Sequence, residues 1–248
     1  MKKAHIVIVR GLFEDVSWIN SLKYSFTLYS FSNEIPNLGG EFYPFYKWIY
    51  DNYDNLPDYL ILIHAHRKSW HCVENIDYIV NNLLFHYKFE NINIFPPFYY
   101  PEIGHKTEDW TLVTTKEVDI DKKDQLHLNV DIDFYSTFFE YKFVHFLETF
   151  GIEKFPMSQV FGKRSGQCYV SKGLILNKSK DFWKKLLDEY YYIPESLGND
   201  RPDVIEFFSK VEKRGLNYLC ALFFEIINHY IFTGFKDYRE VFNLNSNM

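Results

Sequence analysis

The run Asp58-Tyr59-Leu60-Ile61-Leu62-Ile63-His64, followed by Ala65-His66, decides the fold class. Its aliphatic residues are continuous instead of alternating with polar ones. A strand of that kind is buried on both faces, as the central strands of parallel sheets are. A second run, Ile6-Val7-Ile8-Val9 after His5, reads the same way. Between the two lie a helix pattern at 15–22, a strand at 24–31 and a helix at 40–53. Pro44 falls in the first turn of that helix, where a missing N–H is tolerated. Pro57 then breaks the chain before the next strand. This alternation of strands and helices predicts an α/β fold with a mostly parallel, Rossmann-type sheet flanked by helices.

Further along, Ile76, Ile79, Val80, Leu83 and Leu84 recur at helical spacing and predict a helix at 72–87. Residues 91–133 are turn-rich, with Pro96-Pro97 and Pro101, and read as loops and short strands. A helix at 134–150 is ended by Gly151. A short strand at 167–171 precedes helices at 180–192, 203–213 and 216–232, so the C-terminal half is helix-rich. No repeat, low-complexity segment or Gly/Ser linker divides the 248 residues, so one domain over 1–248 is expected.

The composition excludes several classes. Hydrophobic residues make up 47% and charged residues 24%, which argues against wholesale disorder. The formal net charge of -6 leaves no basic footprint for nucleic acid. The three cysteines, Cys72, Cys168 and Cys220, are far apart and form no Cys-x-x-Cys pair, which favours a reducing compartment. No run approaches the roughly 20 apolar residues of a spanning helix. The richest stretch, 218–232, is interrupted by Glu225, Asn228 and His229. The opening apolar run is too short for a signal peptide. A soluble, cytoplasmic protein is the expectation, with peripheral membrane association left open. Aromatic residues, at 20%, are in excess; with abundant Asn, Ile and Lys they suggest an AT-rich viral, protist or bacterial genome.

Four constellations could carry chemistry. His64-Ala65-His66, with His71 close behind, ends the strongest predicted strand, where open α/β sheets bind ligands. Residues two apart on a strand share a face, so these imidazoles could hold a metal, or Arg67 and Lys68 could meet phosphate instead. Core hydrogen bonding is the plainer reading. Asn37-Leu38-Gly39-Gly40-Glu41 precedes a predicted helix. Its glycines permit close backbone approach to an anion, or the motif is a turn with Glu41 as helix cap. Ser165-Gly166-Gln167-Cys168 leads small residues into a short strand, with Cys168 read as core. Glu225 and His229 stand four apart on an apolar helix and share a face. They fit a general base or a satisfied buried polar pair. The strings Asp119-Ile120-Asp121 and Asp131-Ile132-Asp133 follow no apolar strand and read as solvated loops.

Taken in order, these pieces resemble an uncharacterised family, a domain of unknown function common in fungi, whose members look distantly like GT-A glycosyltransferases. The resemblance rests on Val7-Ile8-Val9-Arg10 with Glu14-Asp15-Val16-Ser17-Trp18-Ile19, and on Pro36-Asn37-Leu38-Gly39-Gly40-Glu41. It continues through residues 49–58, His64-Ala65-His66-Arg67-Lys68-Ser69-Trp70-His71, Gln167-Cys168-Tyr169-Val170-Ser171, and Glu225 to His229. It implies a transferase moving sugar from a nucleotide-sugar donor to a glycan or protein hydroxyl. Residues 1–90 would be the nucleotide-binding half and 91–248 the acceptor half. Donor contacts would come from Arg10, Glu14, Asp15, Asn37, Gly39, Gly40, Glu41, Arg67 and Gln167. Glu225, with His229, would supply the base.

One departure from that pattern matters. Where metal-dependent GT-A enzymes carry Asp-x-Asp, this chain has His64-Ala65-His66. Either His64, His66 and His71 hold a divalent ion (Mn, Mg or Zn), or basic residues neutralise the diphosphate, or donor binding has been lost. Two other classes stay open: a histidine-based metal-dependent hydrolase, and a non-catalytic carbohydrate-binding module using exposed aromatics such as Trp70 or Trp110.

Overall fold

The computed structural model describes residues 2–10, 15–30, 41–68, 74–92, 132–160, 166–190, 192, 215–237 and 240. Strand β1 is Ala4–Arg10, and a 3-10 turn at Ser17–Ser21 leads to β2, Ser25–Ser30. Helix α1, Phe42–Asp51, precedes β3, Tyr59–His64. A short α2, Ile76–Asn81, is followed by β4, Phe89–Asn91, and a long α3, Ile132–Thr149. Then come β5, Cys168–Ser171, α4, Lys172–Leu176, α5, Lys180–Glu189, and α6, Gly215–Thr233. The helix expected at 203–213 lies outside the described residues.

The five strands form one sheet in the order β2-β1-β3-β5-β4. β1 pairs in parallel with both β2 and β3, as the strand-helix alternation requires. The expectation of a mostly parallel sheet is corrected at the other side: β5 runs antiparallel to both β3 and β4. All four residues of β5 are buried. A strand that short, covered on both faces, carries the same apolar signature in either direction, so its polarity is set by the tertiary path.

Alternation along the central strands sends side chains into two separate layers. Val7, Val9, Leu60, Leu62, Cys168 and Val170 face a core shared with α1, α3, α5 and α6. Ile6, Ile8, Ile61, Ile63 and Tyr169 face a thinner layer closed by Trp18, Ile19, Ile76, Ile79 and Val80. The first layer absorbs much of the aromatic excess. Tyr46, fully buried on α1, packs within ring-contact distance of Phe42, Phe45, Trp183, Tyr190, Phe224 and Phe232. Among the described residues, no helix is long and apolar enough to cross a membrane.

A buried cation ties three helices together. Lys142 on α3 donates to the carbonyls of Tyr190 at 3.1 Å and Tyr192 at 2.6 Å, at the carboxyl end of α5. Its ammonium also lies 5.6 Å from the ring centres of Phe223 and Phe224 on α6. Burial lowers its pKa from the usual lysine value, partly offset by Cys220 and Glu189.

Tyr46 separates two contributions to this core. Among the described residues its buried hydroxyl has no hydrogen-bond partner. Tyr46→Phe removes that unsatisfied group and is expected to raise stability by about 1 kcal/mol. Tyr46→Ala opens a cavity among six rings and is expected to cost about 3–5 kcal/mol. Urea unfolding of both variants reads the two values.

Candidate functional site

The strand order reverses beside β1. The chain leaves β1 and reaches β2 over the face covered by Trp18 and Ile19, then returns over the opposite face through α1 to β3. The carboxyl ends of β1 and β3 therefore part company, and the crevice beyond such a point is where open α/β sheets take ligands.

His64 ends β3 in register with Val9. Leu60 and Leu62 face α1, so His64, two residues on, faces the same way. Its Nε2 lies 3.5 Å from Oε1 of Glu41, and both side chains are mostly covered. Glu41 stands immediately before α1, yet its carboxylate makes no capping hydrogen bond and turns to the imidazole instead. The amino end of α1 still favours negative charge there. The His64 N–H donates to Oε1 of buried Gln167 at 3.2 Å, joining the end of β3 to the start of β5.

Gly166 completes the contact. A Cβ at that position would run into His64 Nε2, and would stand 3.0 Å from Cε1 and 3.3 Å from Glu41 Oε2. Only glycine lets the backbone come this close. Sequence reasoning noted Gly166 as part of a small-residue entry to β5 without giving it a role. The His66 ring lies 6.0 Å from that of His64, at 57°. Trp18 fixes the exit of β3 by donating its indole N–H to the Ala65 carbonyl at 3.0 Å.

The charged candidates divide. Arg10 ends β1, and its Nε is buried with no hydrogen-bond partner among the described residues. Asp15 accepts from the Ser17 N–H at 2.8 Å and from the Ser17 hydroxyl at 3.1 Å. These bonds, with smaller help from the charges of Arg10 and Arg67, hold its carboxyl below the ordinary value. Arg67 grips Asp77 of α2 with two bonds, at 3.3 and 3.1 Å, and Ser21 adds a third at 3.2 Å. Burial pushes the Asp77 pKa up, and these bonds with Arg67 and Ser21 outweigh it, leaving it lowered. Arg67 is thus engaged in anchoring α2 beside the crevice.

Glu225 and His229 sit on α6, Glu225 half-buried and His229 fully buried. The His229 ring nitrogens lie 3.2 Å from the Ile226 carbonyl and 3.3 Å from that of Lys236. Burial lowers its pKa to about 4. The ring closes the chain that follows α6. Glu14, Asn37, Gly39, Gly40 and His71 lie outside the described residues, as do Asp119, Asp121 and Asp131. Among the described residues, no three His, Cys, Asp or Glu side chains come together so as to hold a metal ion.

A family model described as "Protein of unknown function (DUF3431)" matches residues 6–194, and the chain belongs to that family. No curated protein and no solved structure matches it.

Gly166→Ala is expected to cost about 1–3 kcal/mol, because the methyl group displaces the His64 ring. In the His64→Ala background the same change is expected to cost much less, and a double-mutant cycle by urea unfolding measures the difference. His229 carries a pH dependence of definite sign. It binds a proton near 6.5 when unfolded and near 4 when folded. Its contribution is full above pH 6.5 and declines as pH falls toward 4, by on the order of 3 kcal/mol. His229→Gln is expected to flatten that part of the stability profile, measured by urea unfolding between pH 7 and 4.

Proposed function

We propose that this member of the family is a glycosyltransferase that moves a sugar from a nucleotide-sugar donor to an acceptor hydroxyl. The observation that carries the reading is the convergence of Glu41, His64, Gly166 and Gln167 at the carboxyl end of β3, where strand order reverses. That is a place where a doubly wound sheet receives a nucleotide. Arg10, at the end of β1, is suited to an anion, since its charge cannot be discharged and its buried Nε has no hydrogen-bond partner among the described residues. His66, beside His64, can add a second donor toward a diphosphate.

Charge neutralisation of the leaving diphosphate is assigned to Arg10 and His66. In the transfer, the acceptor oxygen forms a bond to the anomeric carbon as the bond from that carbon to the diphosphate breaks. The acceptor proton passes to a carboxylate. Glu225 is that carboxylate, its half-buried position leaving it open to solvent on one side. His229 has its ring turned to backbone carbonyls and acts by fixing α6. Gln167 and Gly166 hold His64 against Glu41, and Glu41 is assigned to the donor's ribose or sugar hydroxyls.

A thermal-shift screen against UDP, GDP and their common sugars tests this. At about 100 times its Kd the right nucleotide is expected to raise Tm by about 5–10 °C, and Arg10→Gln is expected to abolish the rise. Glu225→Gln is expected to keep binding and lose about 10²–10⁴ of turnover. The absence of a shift with every nucleotide would reject the reading.

A further inference from the structure

The crevice has two sides, and the second carries an arginine that the transferase reading leaves unused. Along β1, Ile6 and Ile8 face the Trp18 layer, and Arg10, two residues on, faces the same way. It is thereby turned away from His64 and Glu41, which lie toward α1. The Ala65 N–H bonds the Val9 carbonyl at 3.0 Å, so the pairing of β1 with β3 runs one step beyond Val9 and His64. Arg10 therefore stands level with Ala65, whose side chain is also in the Trp18 layer. Arg67 follows two residues later and is held on that side by Asp77 of α2.

Arg67 is held from behind and open in front. Its Nε and Nη2 reach the two oxygens of Asp77, whose side chain is 11% exposed against 54% for Arg67. Ser21 donates to the same carboxylate at 3.2 Å. The Ile76 N–H bonds the Arg67 carbonyl at 3.0 Å, so the backbone beneath the guanidinium is fixed as well. A guanidinium carries five N–H groups; among the described residues these two bonds to Asp77 are the ones engaged. Arg10 adds a buried Nε with no hydrogen-bond partner among the described residues. Both charges reach one neighbour: Asp15, whose carboxyl is held low chiefly by its bonds to Ser17, is lowered further by Arg10 and by Arg67.

We infer that Arg10 and Arg67 form a two-arginine site for a diphosphate on the Trp18 side of the crevice. A planar guanidinium binds phosphate oxygens through paired N–H groups, and one whose orientation is already set by a buried carboxylate loses less freedom on binding. Two such groups at the ends of neighbouring strands suit two linked phosphoryl groups better than a single carboxylate. Asp77 sits behind Arg67, so the outward side of that pair stays positive. Asp15, exposed at the same mouth, is the nearby charge that opposes an anion. That the diphosphate belongs to a nucleotide-sugar rests on the transferase reading; the site itself does not.

Isothermal titration of the full chain with inorganic pyrophosphate, with UDP and GDP as competitors, tests the inference. Saturable binding of pyrophosphate is expected, weaker at high salt because the contacts are screened. Arg67→Gln and Arg10→Gln are each expected to weaken it by about tenfold or more. Arg67→Lys, which keeps the charge and loses the fork, should recover only part, and Asp15→Asn should tighten binding. Asp77→Asn removes the anchor and leaves the guanidinium, so it should lower Tm about as much as Arg67→Gln does while keeping most of the binding. No binding by the wild-type chain, or unchanged binding in Arg67→Gln, overturns the inference. So does equal loss in Asp77→Asn and Arg67→Gln, which would make Arg67 an anchor alone. Pyrophosphate binding that needs both arginines but is not displaced by UDP or GDP upholds the site and counts against the transferase reading.

Discussion

Dryness on both sides of β3 is the constraint on which the molecule rests. Leu60, Leu62, Ile61 and Ile63 are wholly buried, the first two toward α1 and the others toward the Trp18 layer. A strand with no wet face demands a layer above and a layer below. It also demands partners along both edges, since a buried backbone donor or acceptor left unpaired costs about as much as a lost hydrogen bond. β1 satisfies one edge in parallel and β5 the other in antiparallel fashion. The end of β3 is therefore held from four directions, and His64 inherits that fixity.

Fixity at His64 has a local cost, met by choosing glycine at 166. β5 must begin close to the end of β3 for Gln167 to reach the His64 N–H, and a side chain at 166 would collide with the imidazole. The same closeness leaves Glu41 facing His64 instead of capping α1. A carboxylate and an imidazole thus meet where the topology opens a crevice, while the apolar residues beneath them cannot move without exposing the core. Precision at an edge site comes from rigid strands more readily than from loops.

Much of the first half was legible because period and punctuation agreed there. The expected strand at 24–31 and helix at 40–53 correspond to β2 and α1 with ends trimmed by one or two residues. Farther along, local signals lost to tertiary demands. Of the helix expected at 72–87, the described residues form one over Ile76–Asn81, and Phe85, with a left-handed backbone, stands between its end and β4. Phe89-Glu90-Asn91 has no strand signature of its own and is a strand because β5 offers an edge. In the site, His64, Glu41 and Gln167 were found from strand ends and helix starts. The engagement of Arg67 was not, since Asp77 and Ser21 approach it only through folding. The aromatic excess, explained from sequence by coding bias, also has a packing role: the rings around Tyr46 fill the space between α1, α5 and α6.

Perturbed protonation does not by itself mark function here, and the contrast between groups shows why. Burial lowers the pKa values of both Lys142 and His229, yet each is sealed and turned to backbone carbonyls that hold helix ends in place. A buried cation against the carboxyl end of α5 is favoured by the helix dipole and by two nearby rings, so its desolvation is offset where it stands. Such a group has spent its donors and has no path to a substrate. Arg10 differs in kind. It sits at a strand end beside the crevice and keeps a donor unspent among the described residues. Capacity left over, at a place a ligand can reach, is what distinguishes a binding group from a structural one, and in this fold the reversal of strand order determines where such capacity can be kept.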